Sequence, residues 1–142
     1  LTAIKVIKLR DYQQAAVTSI FEYFARASGH PLVAMPTGTG KAYIIATFIA
    51  EAVRTYPGTR ILVMSHVKEI LEQDHASLLR VWPQAPAGVY SAGLRRKDTG
   101  YPILYGGVGT VARGKPESFG WVDLLLIDEC HLLSPKETTM YQ

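Results

Sequence analysis

The sequence predicts an α/β domain: a mostly parallel sheet with helices on both faces. Short apolar runs recur along the chain, longer amphipathic stretches alternate with them, and Gly, Pro and Asp breaks separate the two. Residues 12–27 read as a helix that Asp11 can cap, with Ala16, Val17, Ile20, Phe21 and Phe24 on one face. Gly29, His30 and Pro31 end it. Residues 32–35 read as a buried strand, followed by a Pro/Gly loop and a helix over 41–56. Pro57 and Gly58 turn the chain into a second buried strand at 60–64. Residues 67–81 form an amphipathic helix stopped by Trp82 and Pro83, and 89–91, 103–105 and 122–127 are further strands. In such a sheet ligands bind beyond the carboxyl ends of the strands, which places the chemistry just after Met35, Met64 and Ile127.

The bulk composition narrows the class. The 142 residues are 48% hydrophobic and 19% charged, enough for one domain with a core and far from a disordered composition. A net charge of +3 permits a polyanionic partner without establishing one. The lone cysteine, Cys130, excludes an internal disulfide framework and fits a reducing compartment. No apolar run approaches the ~18 residues of a membrane span, and no signal peptide is visible. The expected location is therefore cytoplasmic, and Leu1 in place of a Met points to a piece of a longer chain.

Two segments carry the chemistry. After Met35 the chain runs Pro36-Thr37-Gly38-Thr39-Gly40-Lys41-Ala42 into a helix. Gly38 and Gly40 let the backbone curl so that successive N–H groups face one anion, the helix N-terminus adds partial positive charge, and Lys41 reaches the β/γ-phosphates. The strict G-x-x-x-x-G-K-[ST] pattern fails at Met35 and at Ala42. Further on, an apolar strand ends in Asp128-Glu129-Cys130-His131. Two acids at a buried strand end are costly unless a cation or substrate faces them. Asp128 suits Mg²⁺ held through the ion's water shell, and Glu129 suits orienting and deprotonating an attacking water.

With these residues in place the chain resembles the N-terminal RecA-like lobe of superfamily 2 DEAD/DEAH-type helicases. Residues 128–131 are similar to a DExH box, and residues 36–41 to that superfamily's phosphate loop, in which the first glycine is often absent. Arg10-Asp11-Tyr12-Gln13 resembles the variant Q-motif, implying that Gln13 reads the adenine edge and that Arg10 packs near the base. Residues 61–69 resemble motif Ia and 109–113 motif Ic. The wording of 66–69, 90–97 and 111–113 is most similar to RadD-type bacterial and phage proteins associated with DNA repair.

The resemblance implies ATP and Mg²⁺ as cofactors, and nucleic acid as partner, DNA in preference to RNA. It assigns Ser65, His66 and Thr110 to a strand's phosphates, with Lys68 and Arg113 as supporting charges; such contacts position without reading sequence. Lys68 also reads as a solvated helix charge, and His66 as a strand-end residue bonded locally. Arg95-Arg96-Lys97 reads as solvated loop charge, and Trp82 and Trp121 as packing residues. Ala42 lacks the hydroxyl that the family lends to Mg²⁺, and Gly109 stands where relatives often carry Gln. Residues 1–142 are expected to form one incomplete lobe. A second RecA-like lobe would supply the arginine finger, worth on the order of 10³–10⁵ in turnover, so this chain alone should hydrolyse ATP hardly at all. Two other readings fit: the motor of a restriction or phage replication translocase, and an ATP-gated binding module with impaired hydrolysis.

Overall fold

The computed structural model describes residues 7–132. Its centre is β1 (Ile61–Ser65), buried at all five positions. On one side β1 pairs in parallel with β4 (Ile103–Gly107), and on the other with β5 (Leu124–Ile127). β2 (Ala87–Ser91) joins β4 in parallel, and the two-residue β3 (Arg96–Lys97) closes an antiparallel hairpin on β2, giving the order β3-β2-β4-β1-β5. The strand period of two divides β1 between the two faces of the sheet. Ile61 and Val63 enter one core with Ile49, Leu71, Leu78 and Tyr105, while Leu62 and Met64 enter another with Tyr90, Leu104 and Val108.

The two faces are covered unequally. α2 (Lys41–Thr55) and α3 (Lys68–Val81) pack against each other and over the larger core. α1 (Asp11–Arg26) docks on α2 through Val17, Ile44 and Phe48, with the rings of Phe21 and Phe48 5.0 Å apart. Among the described residues the opposite face has only the short α4 (Val108–Ala112) and the turn at Pro116–Ser118, which bring Val111 and Phe119 over the smaller core. The result is a RecA-like α/β fold in which α2 and α3 meet the helix expectations for 41–56 and 67–81 within a residue or two.

Several expectations change. Residues 32–35 pair with no strand among the described residues, and Leu32 is 74% exposed; apolar character marked the run, but a strand also needs a neighbour for its backbone. Among the described residues β5 is paired only with β1, and its Leu125 is half exposed where four buried residues were expected. Asp11 is the first helical residue and not the cap: Gln13 Oε1 accepts from the Arg10 N–H at 2.9 Å, which satisfies the helix start instead. Phe24 lies on the exposed side of α1. Trp121 is no packing residue; it is largely exposed, and its indole N–H donates to Asp123 Oδ1. Trp82 does pack against the larger core.

Leu78 is fully buried between α3 and the sheet, so Leu78→Ala should cost about 2–5 kcal/mol. Leu32→Ala should stay within about 0.5 kcal/mol, as expected for an exposed position. Urea unfolding of the two variants checks both, and equal losses would place residues 32–35 in the core after all.

Candidate functional site

The loop between Met35 and α2 is shaped by its glycines and fixed from outside by α1. Gly38 and Gly40 adopt φ of 81° and 75°, the left-handed region that disfavours other residues. Gly40 is also excluded from carrying a side chain because a Cβ there would collide with Gln13 Nε2. Gln13 is buried, and its Nε2 donates to the Thr39 carbonyl at 2.7 Å; the Tyr12 hydroxyl donates to the same oxygen at 3.0 Å. Thr39 Oγ1 in turn donates to the Pro36 carbonyl at 2.8 Å. Carbonyls are thus drawn back toward α1 and the turn. The N–H groups at the start of α2, beginning with Lys41 and Ala42, have no acceptor within their own helix. Above Gly38 the space is open. Pro36, Thr37 and Gly38 are exposed along this mouth, and Arg10 is exposed at the start of α1.

Lys41 reaches across to the end of β5. Its Nζ lies 2.8 Å from Asp128 Oδ1 and 2.6 Å from Glu129 Oε1, joining groups 88 residues apart. Burial alone would lower the Lys41 pKa, but hydrogen bonds and charge from Asp128 and Glu129 outweigh it and raise it. Asp128 is buried and also accepts from the Glu129 N–H at 2.8 Å, while its own N–H donates to the Met64 carbonyl at 2.9 Å. Glu129 has φ of 57°, a conformation that costs a non-glycine residue on the order of 1–3 kcal/mol. That turn brings both carboxylates to Lys41 from consecutive positions. The second carboxylate oxygen of Glu129 lies 3.3 Å from His131 Nδ1. No group of three or more His, Cys, Asp or Glu side chains among the described residues could cage a metal. The donor set suits an ion that keeps most of its waters and touches one carboxylate and phosphate oxygens, which is how Mg²⁺ binds.

A third acid lies behind this pair. Asp74 of α3 is fully buried, close enough to Asp128 to feel its charge. Burial first, and the neighbouring Asp128 next, push its pKa up to about 9. Asp74 Oδ2 and the nearby Tyr105 hydroxyl have no hydrogen-bond partner among the described residues. Sequence reading passed over Asp74 because Glu72-Gln73-Asp74-His75 looks like a solvated helix face. The helical period gave the signal: Asp74 falls between Leu71 and Leu78 on the buried stripe.

The five residues assigned to nucleic acid also come together, on the other side of the β1 end. Ser65, His66, Lys68, Thr110 and Arg113 all line a trough of about 440 Å³ beyond the ends of β1, β2 and β4. Gly93, Gly107 and Gly109 are among the residues that line it. A Cβ at Gly107 would come within 3.2 Å of Ser91 Oγ, and one at Gly93 within 3.3 Å of Lys68 Cδ. The Ser65 and Thr110 oxygens accept from the Val67 and Ala92 N–H groups at 3.2 and 3.0 Å, which leaves each hydroxyl hydrogen available to donate. Arg95, Arg96 and Lys97 lie in the adjoining hairpin, exposed, with Arg96 paired to Asp98.

Asp74 has a consequence for stability. Its pKa is raised on folding, so the fold takes up a proton and weakens as pH rises from about 4 toward 9. Asp74→Asn removes that dependence. The variant should gain over wild type progressively between pH 5 and 8, and parallel stability–pH curves from urea titrations would contradict the raised pKa of Asp74.

Comparison with known proteins agrees with this geometry. The Saccharomyces cerevisiae protein IRC3, described as a candidate ATP-dependent helicase, is 27% identical over 148 residues, covering 92% of this chain and 21% of that protein. The UvsW helicase of bacteriophage T4 superposes with a TM-score of 0.72 at 22% identity, over 94% of this chain and 47% of that one. The Type ISP restriction-modification enzyme LlaGI, solved as a nuclease-deletion mutant with a DNA substrate mimic, superposes at 0.66 with 16% identity, over 88% of this chain and 15% of that one. The chain thus spans less than half the length of each of these relatives. No helix among the described residues is long and apolar enough to cross a membrane. The family described as "Type III restriction enzyme, res subunit" matches residues 6–142, and the chain belongs to it.

Proposed function

We propose that the chain is the ATP-binding motor lobe of an ATP-dependent helicase or translocase acting on nucleic acid, DNA in preference to RNA. The observation that carries this reading is the bridge from Lys41 to Asp128 and Glu129, set at the mouth of a glycine loop and beside a separate polar trough. In the nucleotide-bound protein Lys41 exchanges these carboxylates for β/γ-phosphate oxygens, which the N–H groups of the 36–42 loop also face. Asp128 would hold Mg²⁺, which would neutralise phosphate charge, and Ala42 would offer it no oxygen. Glu129 accepts a proton from the attacking water as its oxygen bonds to the γ-phosphorus and the bond to the ADP oxygen breaks. The Gln13 amide keeps one N–H and one lone pair beyond its two bonds to the protein, the complement of the adenine N6/N7 edge, and Arg10 stands beside it.

A second RecA-like lobe of the same full-length protein belongs to this proposal and would bring the arginine finger; the relatives above are all longer than this chain. The wording of residues 66–69, 90–97 and 111–113 supports a RadD-type protein of DNA repair. A second reading, a restriction translocase that moves on DNA without separating strands, is favoured by the family match and by the likeness to LlaGI.

In the full-length protein Lys41→Ala should abolish nucleotide binding measured by calorimetry, and Glu129→Gln should keep binding while losing DNA-stimulated hydrolysis. Unchanged ATP affinity in Lys41→Ala would refute the phosphate-loop assignment. Along the trough, Arg113→Ala should weaken binding to unrelated single-stranded DNA sequences equally and lower the salt slope by about one charge. Loss confined to one sequence would mean base readout instead.

A further inference from the structure

Tyr12 stands between Asp11 and Gln13 in the first turn of α1, and the proposed reaction gives it no role. Burial does not explain an aromatic residue there, since Tyr12 is 41% exposed. Its contact is specific. The hydroxyl donates to the Thr39 carbonyl at 3.0 Å, and Gln13 Nε2 donates to the same oxygen at 2.7 Å. A carbonyl oxygen has two lone pairs, and here both are engaged from the α1 side.

The consequence falls on the next residue. A trans peptide is planar, and its C=O and N–H point in opposite directions. With the Thr39 carbonyl drawn toward α1, the Gly40 N–H of the same peptide is aimed the other way, and it meets no acceptor among the described residues. Gly40 permits this at φ of 75°, with the Gln13 amide standing where a side chain would be. The two tethers differ in what else they do. Gln13 Oε1 accepts from the Arg10 N–H at 2.9 Å, and the rest of its amide is left for the base. Tyr12 has one hydroxyl hydrogen, and that hydrogen goes to Thr39.

We propose that Tyr12 is a positioning residue for phosphate binding: its hydroxyl fixes the Thr39–Gly40 peptide and so directs the Gly40 N–H at a phosphate oxygen, independently of the base. The inference rests on the ATP-binding reading of the site and divides it in two. Gln13 links base to loop, and Tyr12 sets the loop alone.

The test uses the full-length protein with Tyr12→Phe, which keeps the ring and removes only the hydroxyl. Calorimetry measures affinity for ATP, GTP and inorganic tripolyphosphate, each with Mg²⁺; tripolyphosphate carries no base. Loss of one neutral hydrogen bond should weaken ATP and tripolyphosphate alike, by about three- to ten-fold. The ratio of ATP to GTP affinity should stay at its wild-type value, whereas Gln13→Ala should lower it. Tripolyphosphate bound as tightly as by wild type, or a ratio shifted as in Gln13→Ala, would overturn the proposal. A second measurement needs no nucleotide. The Gly40 amide nitrogen is bonded to the Thr39 carbonyl carbon, so its NMR shift responds to hydrogen bonds on that carbonyl. In nucleotide-free Tyr12→Phe the Gly40 signal should move, and a signal unchanged from wild type overturns the inference. Wild-type protein that binds neither ATP nor tripolyphosphate would defeat the functional reading alone, leaving the Gly40 signal to judge Tyr12.

Discussion

Everything at the functional end of this molecule depends on the in-register pairing of β1 with its two neighbours. Ser65 lies across from Gly107, and Met64 across from Ile127, so three strands finish at one level. Because all three run in parallel, their carboxyl ends open on the same side. The single strand β1 then acts as a partition. On the β5 side the Met64 carbonyl receives the Asp128 N–H and sets the acid pair; on the β4 side Ser65, its last residue, lines the trough. A slip of one residue would turn Ser65 to the other face of the sheet and carry Asp128 away from Lys41.

The partition explains why backbone geometry is so unusual where the chemistry is. Gly38, Gly40 and Glu129 all adopt positive φ within reach of one lysine. Glycine tolerates this without penalty, and Glu129 does not. The strain at Glu129 is tolerated because the Lys41 contact and the Asp128 carboxylate's bond to the Glu129 N–H both hold the turn. Local backbone cost, an acid with a raised pKa, and an ammonium shared by two carboxylates are concentrated in a few residues, while the rest of the fold is conventional core packing.

The parts of the fold legible in the sequence were those where burial is dense and periodic. α2, α3, β1 and β4 each bury a regular stripe, and the stripe is visible as apolar residues. Residues 32–35 show the limit of that signal, since Leu32 and Val33 are apolar yet exposed: hydrophobic character says nothing about which backbone lies alongside. The β3 hairpin escaped notice for the opposite reason, being two charged residues with no apolar alternation. At the site, the phosphate loop and the acid pair were readable because their chemistry is local in sequence. Asp74 was not readable as chemistry, because the acid whose charge it feels is 54 positions away and only the fold brings them together. The glycines of the trough were likewise silent, because a missing side chain matters only beside the neighbour it would strike.

The free side of β5 bears on how this protein behaves in a crowded solution. Leu124-Leu125-Leu126-Ile127 is a short uncharged run with high strand propensity and an outer backbone edge that pairs with nothing among the described residues. Such an edge is a template for another chain's strand. Asp123 precedes it and Asp128 and Glu129 follow it, so stacking two copies in register would bring like charges together at both ends. The acids that serve the nucleotide site therefore also act as gatekeepers against intermolecular sheet growth, set at both ends of the exposed leucines.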